Sequence, residues 1–263
     1  MTNPKIDIAE ERMPRPAPRR RRQAVWIPPE TSFINAYRIL SGHPLFALKD
    51  GLLDRLVRAL YRRFGRRVRG GKLYYNLLAD PFNKVFFWKN LFKCILFFGT
   101  HPELTEYGIC DIGCGAGPAS IAVTQIRRDA GLVDVSLRLV DHSSQQLSLA
   151  RDLMHMMGAQ VVCLTRDFSR WKMKRTKGLA VFSYSFCEQQ DGFLKVLFMN
   201  RRQFSEGFAV IDYEENLQKI AEYFRVRGED EVYSESITVE LDESLAEIIG
   251  NKEVTVHACY YRP

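Results

Sequence analysis

The chain lacks any run of about 18 uncharged apolar residues, so a membrane-spanning helix is not expected. Its densest apolar stretch, Phe86 to Phe98, is interrupted by Lys89, Asn90 and Lys93 and reads as a buried or interfacial helix. The first thirty residues hold arginines but no apolar core behind them, and Glu10 and Glu11 oppose a transit peptide. No cleaved targeting segment is expected, and the chain reads as cytoplasmic. Only 6 cysteines occur in 263 residues, none in a Cys-x-x-Cys pair. A zinc ribbon or iron–sulfur site is thereby disfavoured, no metal is expected, and reduced thiols are the simple reading. No Gly-Lys-Ser/Thr closes a glycine-rich loop, which excludes a Walker phosphate loop.

What is present is globular: 46% hydrophobic and 26% charged residues, enough for one large domain with a smaller appendage. The net charge of +7 is unevenly placed. Residues 1–75 carry 17 Lys/Arg against 6 Asp/Glu, whereas residues 205–263 carry 5 against 14. A basic head suggests an anionic partner, RNA or a ribonucleoprotein before an anionic membrane surface; the bland alternative is a solvated arm or one docked on the acidic tail. Residues 1–30, rich in Pro and Arg around Arg19-Arg20-Arg21-Arg22, read as a disordered basic arm. Residues 31–99 read as an N-terminal helical region. In its 44–69 stretch, Leu52, Leu53, Leu56, Val57, Leu60, Tyr61 and Phe64 recur at helical spacing, and Arg55, Arg58, Arg62, Arg66 and Arg69 form a cationic stripe. Such a stripe repels itself unless an anion lies along it, although snorkelling arginines on a wet face would look the same. A second, aromatic helical stretch spans 72–99.

From residue 106 the pattern alternates strand and helix, which predicts an α/β fold with a doubly wound, mostly parallel sheet. Strands are expected near 106–111, 135–141, 159–165, 179–185 and 207–213. Helices are expected near 118–129, 143–157, 168–176, 192–203 and 214–227. Ser143 and Gln146 stand at capping-box spacing. Segments 231–241 and 252–261, joined by a short acidic helix or turn, read as an antiparallel hairpin at the sheet edge.

The chemistry concentrates in Ile109-Cys110-Asp111-Ile112-Gly113-Cys114-Gly115-Ala116-Gly117-Pro118. An apolar strand ends in an acid, glycines permit tight turns and close approach of a ligand, and a proline opens the next helix. A dinucleotide loop would read Gly-x-Gly-x-x-Gly. Here the third glycine comes one residue early, and Asp111 would repel a pyrophosphate but attract an ammonium group.

This string resembles motif I of the class I S-adenosylmethionine-dependent methyltransferases, and the resemblance covers about residues 100–263. It implies a Rossmann-like methyltransferase fold, seven strands with an antiparallel C-terminal hairpin, and S-adenosyl-L-methionine as cofactor. Matched residue by residue, it implies cofactor contacts from Asp111, Gly113, Cys114, Gly115 and Gly117. Asp141, at the end of Leu139-Val140-Asp141-His142, takes the place of the family's ribose-binding acid, and His142 the place beside the adenine. Asp167 matches the acid near the adenine amino group, and Phe168 is placed to pack on the ring. Val181-Phe182-Ser183-Tyr184-Ser185-Phe186 holds the cofactor and substrate edge, with Ser183 on the cofactor side. Methyl transfer is an in-line displacement that needs positioning and desolvation more than a dedicated base. Tyr184 and Glu188 are the candidates to orient an acceptor or take a proton. The Asn/Asp-Pro-Pro-Tyr/Phe signature of amino-methylating nucleic-acid enzymes is absent, and Cys187 lacks the context of a C5-methylating nucleophile. Three functions follow in order: an RNA methyltransferase, a ribosomal acceptor included; a small-molecule methyltransferase; and a noncatalytic RNA- or membrane-binding scaffold. Tyr74-Tyr75 and Phe82 are lid candidates, and Arg170, Lys172, Lys174, Arg175 and Lys177 can join the basic arm on a phosphate backbone.

Overall fold

The structure, a computed structural model, describes residues 27–47, 51–52, 55–57, 59, 79–168, 177–185, 192–229 and 232–262, with side chains at 79–82 excepted. Seven strands form one sheet: β1 (Ile109–Ile112), β2 (Leu137–Asp141), β3 (Val161–Thr165), β4 (Leu179–Ser183), β5 (Phe208–Asp212), β6 (Val232–Glu240) and β7 (Glu253–Tyr261). Their order is β3-β2-β1-β4-β5-β7-β6. Strands β1 to β5 are parallel neighbours, and β7 runs against both β5 and β6. This is the Rossmann-like methyltransferase arrangement, with the expected antiparallel hairpin at its edge. Every residue of β1, β4 and β5 is buried, which explains their continuous apolar runs, since a parallel strand covered on both faces has no wet side. Strand β3 closes one edge and keeps a partly exposed pattern.

The helices are α1 (Pro29–Leu40), α2 (Pro44–Ala47), α3 (Ala79–Thr100), α4 (Pro118–Asp129), α5 (Ser144–Met156), α6 (Gly192–Asn200), α7 (Glu214–Arg225) and α8 (Glu243–Ile249). Two apolar layers sandwich the sheet. One joins Phe33, Leu40, Phe92, Phe97 and Ile121 to the inner faces of β1 and β2. The other packs Phe193, Leu197, Leu217, Ile220 and Phe224 of α6 and α7 against Cys110, Phe182 and Phe208. Helix α3 is apolar almost all round because it is covered from several sides, by α1, α4, α8 and β7. Phe33 of α1 meets Phe92 and Trp88 of α3 edge-on, with centroids 5.3 and 6.3 Å apart. The N-terminal helices thus share one core with the sheet.

Several boundaries differ from expectation for local reasons. Strand β1 begins three residues late because Pro102–Glu106 forms a 3₁₀ turn, its Thr105 Oγ1 donating to Pro102 O at 2.7 Å. The predicted 192–203 helix ends at Asn200 and tightens into a 3₁₀ turn over Arg201–Gln203. In the 44–69 region, α2 covers four residues and Gly51 is not helical, while Leu52, Arg55–Val57 and Ala59 are. Arg58, Arg62, Arg66 and Arg69 of the stripe lie outside the described residues, as do 1–26, Tyr74, Tyr75, the Phe82 side chain and positions 169–176. The acidic connection between β6 and β7 is helix α8, capped by Asp242, which accepts from Leu245 N at 2.8 Å, and stopped by left-handed Gly250. Among the described residues, no helix is long and apolar enough to cross a membrane.

Phe33→Ala removes the ring that ties α1 to α3. The expected loss is about 3–5 kcal/mol of unfolding free energy. A chemical-denaturation midpoint unmoved from wild type would mean that α1 contributes nothing to the core.

Candidate active site

The site lies at the C-terminal ends of β1, β2 and β4, where the strand order reverses and where doubly wound sheets as a class bind their ligands. Asp111 stands opposite Leu139 in the β1–β2 register. Alternation along β2 then puts Asp141, two residues on, on the same face. The two carboxylates expected to grip one ligand therefore share one side of neighbouring strands.

Asp111 is fully buried. Its Oδ2 accepts from Ser120 N at 3.1 Å and Ser120 Oγ at 2.9 Å, both in the first turn of α4. Its Oδ1 is buried with no hydrogen-bond partner among the described residues. Burial pushes this carboxyl up to about 7, against the two Ser120 hydrogen bonds, and the nearby Asp141 charge adds to the rise. An unpartnered acceptor oxygen is costly unless a donor arrives, and a cationic donor would also restore the charged form. An ammonium group meets both needs.

Asp141 holds the glycine loop. Its Oδ2 accepts from Gly115 N at 2.9 Å, and its Oδ1 from Ser143 N at 2.8 Å. Each carboxylate oxygen retains acceptor capacity, so the group, fixed by these backbone donors, can still accept a further bond on either oxygen. His142 is half exposed, with Nδ1 3.3 Å from Asp141 Oδ1. The Asp141 carbonyl accepts from Arg166 N at 2.8 Å, which draws the exit of β3 toward the same corner and sets Asp167, exposed, beside it. Phe168 is buried: its ring lies 5.0 Å from Phe182 and 5.4 Å from Phe193, in the core under α6 rather than free to cover an adenine.

The loop itself is tight. Gly113 has φ of +66°, and a Cβ there would stand 2.6 Å from Ser185 Cβ, so only glycine fits. Cys114 is buried, and its thiol is held well above the usual range, first by desolvation and then by the charges of Asp111 and Asp141. Gly115 and Gly117 also have positive φ, and Gly117 forms the N-terminal boundary of α4. Ser183, at the end of β4, is buried with its Oγ 3.4 Å from Cys94 Sγ of α3. Cys94 is pushed up to about 12 by burial, an inert thiol. Tyr184 follows with φ of +55°, a left-handed conformation unusual for a ring-bearing residue. Its ring meets Tyr213 edge-on at 5.7 Å, and Lys93 Nζ lies 5.4 Å from its centre. Glu188 and Cys187 lie outside the described residues.

Ser120, Ser185, Asn83 and Cys94 carry no motif that marks them in the sequence. Ser185 is buried beside Gly113, and its Oγ has no partner among the described residues. Gln146, expected to complete a capping box with Ser143, does not reach back. Its Oε1 accepts from Asn83 Nδ2 at 2.8 Å, and the Ser143 N–H goes to Asp141 instead. The other half of the cap forms, Gln146 N donating to Ser143 Oγ at 3.3 Å. Helix α3 is thereby bonded both to the start of α5 and to the end of β4.

No protein-family model matches the sequence, and no curated protein matches it. Among solved structures, the chain is similar to the plantazolicin methyltransferase BpumL in complex with SAH: 11% identical over 81% of this chain and 99% of that one, TM-score 0.47. It is similar to magnesium protoporphyrin IX methyltransferase from Synechocystis with bound SAM, 13% identical over 81% and 100%, TM-score 0.45. It is also similar to precorrin-6y C5,15-methyltransferase from Geobacter metallireducens, 16% identical over 59% and 81%, TM-score 0.43. Likeness at this level says nothing of what this chain acts on.

Because Asp111 is protonated more readily in the folded than in the unfolded chain, the folded state binds more protons between about pH 4 and pH 7. Its contribution to stability therefore falls as pH rises through that window. Asp111→Asn removes the dependence. Comparing urea midpoints at pH 5 and pH 8, the variant is expected to gain on the ligand-free wild type by up to a few kcal/mol, in order of magnitude. A difference that does not change with pH would contradict the assignment.

Proposed function

We propose that this chain is a methyltransferase that uses S-adenosyl-L-methionine. One observation carries the reading: two carboxylates on one face of adjacent strand ends, astride a glycine turn, with one buried oxygen awaiting a donor. The fit to the cofactor is good. Asp111 Oδ1 suits its ammonium group, Asp141 the ribose hydroxyls, and the Gly113–Gly117 turn admits the chain between them. Ser183 and the unpartnered Ser185 hydroxyl stand at the β4 side of the same turn. Bound there, the cofactor supplies an electrophilic methyl group on a sulfonium. The protein's part is to hold that centre away from water and to fix the acceptor in line with it. Tyr184, locked by its backbone at the end of β4, is placed to form the acceptor-side wall.

RNA, ribosomal RNA included, is the acceptor best supported. The basic head, with 17 Lys/Arg in the first 75 residues, offers the counter-charge that a phosphate backbone needs. Arg55 and Lys177 are exposed, in keeping with that role. A small planar acceptor is the second reading, favoured by the aromatic wall of Tyr184 and Tyr213.

Isothermal calorimetry with S-adenosylmethionine and its demethylated product tests the cofactor site. Wild type is expected to bind in the micromolar range, and Asp141→Ala to lose about a hundredfold or more, as the ribose loses a charged acceptor. Absence of wild-type binding would leave only the scaffold reading. Tritiated methyl transfer into lysate split into RNA, DNA, protein and small molecules then identifies the acceptor. Label in RNA, falling steeply as salt rises, is the expected result; label confined to small molecules would replace it with the second reading.

A further inference from the structure

We infer that two copies of this chain associate through the free edge of β6, continuing the sheet across a two-fold axis at Ser236. Strand β6 is nine residues long and, among the described residues, ends the sheet. Its register with β7 runs unbroken from Val232 to Glu240, without a bulge. Leu241 N donates to Lys252 O at 2.8 Å, extending that register by one step. Antiparallel pairs alternate, so odd-numbered residues of β6 bond to β7, and Ser234, Ser236 and Thr238 turn their N–H and C=O groups off the edge. Long edges are ordinarily blunted by lysine, proline or a bulge. Strand β6 has none of these, and Ser234, Ser236 and Thr238 are exposed.

The edge is complementary to itself. With the axis at Ser236, Ser234 faces Thr238 of the second copy, and Ser236 faces its own equivalent. These pairs use only the outward groups. Tyr233, 56% exposed and stacked on Tyr260 at 5.3 Å, faces Val239 of the second copy. Glu235 faces Ile237, and Glu240 faces Val232. The two glutamates of β6 therefore never oppose each other.

One charge pair also forms across the axis, between Arg225 and Glu240, beside an exposed Glu222. Between α7 and the start of β6 lies a groove of about 480 Å³ lined by Gln218, Ala221, Glu222, Arg225, Glu229 and Val232. Glu229 is already bonded by Arg201 and Arg202. Arg225 is exposed on the groove wall. Val232 and Glu240 project to the same face of β6, since they are an even number of residues apart. Glu240 of the second copy, opposite Val232, thus enters the groove beside Arg225, and symmetry makes the contact twice.

Sedimentation velocity on the full chain, from about 1 to about 100 µM, tests this. A concentration-dependent dimer is expected. Arg225→Glu and Glu240→Arg should each weaken it by about tenfold or more, and the double charge swap should restore it. Ser236→Pro removes an outward N–H that β7 does not use, and is expected to abolish the dimer with the far-UV spectrum retained. If that variant fails to fold, the charge swap still decides. A monomer at every concentration, or a dimer indifferent to both single charge reversals, overturns the proposal, as does a double swap that fails to restore what the single changes weaken.

Discussion

A carboxylate buried without full satisfaction governs the site. Asp111 has one oxygen tied to the first turn of α4, and the other meets no donor among the described residues. A fold adopts such a group at a cost, because burial penalises the charge and an orphan acceptor forfeits its bonds to water. The surroundings make the arrangement tenable. Ser120 supplies two donors, and the shift toward neutrality near pH 7 relieves part of the charge penalty. A cationic donor would relieve the remainder, which is why the proposed function sets an ammonium group there rather than a phosphate.

The neighbouring acid works differently. Asp141 is satisfied by Gly115 N and Ser143 N before any ligand is present. It therefore ties three segments into one corner: the glycine turn, the head of α5 and, through its carbonyl, the exit of β3. One acid is left wanting, and the other is already fixed in position. In the proposed function, a ligand that spans them would meet one group whose charge it completes and another whose geometry is already fixed.

The N-terminal helices belong to this machinery. Helix α3 bonds to two elements that flank the glycine turn, Asn83 to Gln146 of α5 at one end and Cys94 to Ser183 of β4 further along. Its far end is fastened to the hairpin, His101 Nε2 standing 2.5 Å from Glu235 Oε1 of β6, and in mid-helix Lys89 Nζ donates to Asn251 Oδ1 at 3.0 Å, just ahead of β7. The hairpin and the candidate site are thus joined by one largely buried helix.

Local rules made most of the fold legible in the sequence. Fully covered parallel strands need unbroken apolar runs, a wet-faced hairpin needs alternation, and a turn at Gly113 that abuts Ser185 needs glycine. Asp111 and Asp141 were legible because each breaks such a run, Asp111 one residue before the end of β1 and Asp141 at the end of β2. Tertiary structure alone decided the rest. Phe168 reads equally well as a ring for a ligand or for the core, and only its packing against Phe182 and Phe193 chose the core. Gln146 had a local partner at capping-box distance, yet a residue 63 positions earlier claimed its side chain. Ser120 and Ser185 carry no signal of their own, since a serine gains meaning here only from the buried carboxylate or the glycine it lies against. Periodicity and strand-end chemistry are properties of neighbours along the chain; a partner for a lone polar group is a property of the packed whole.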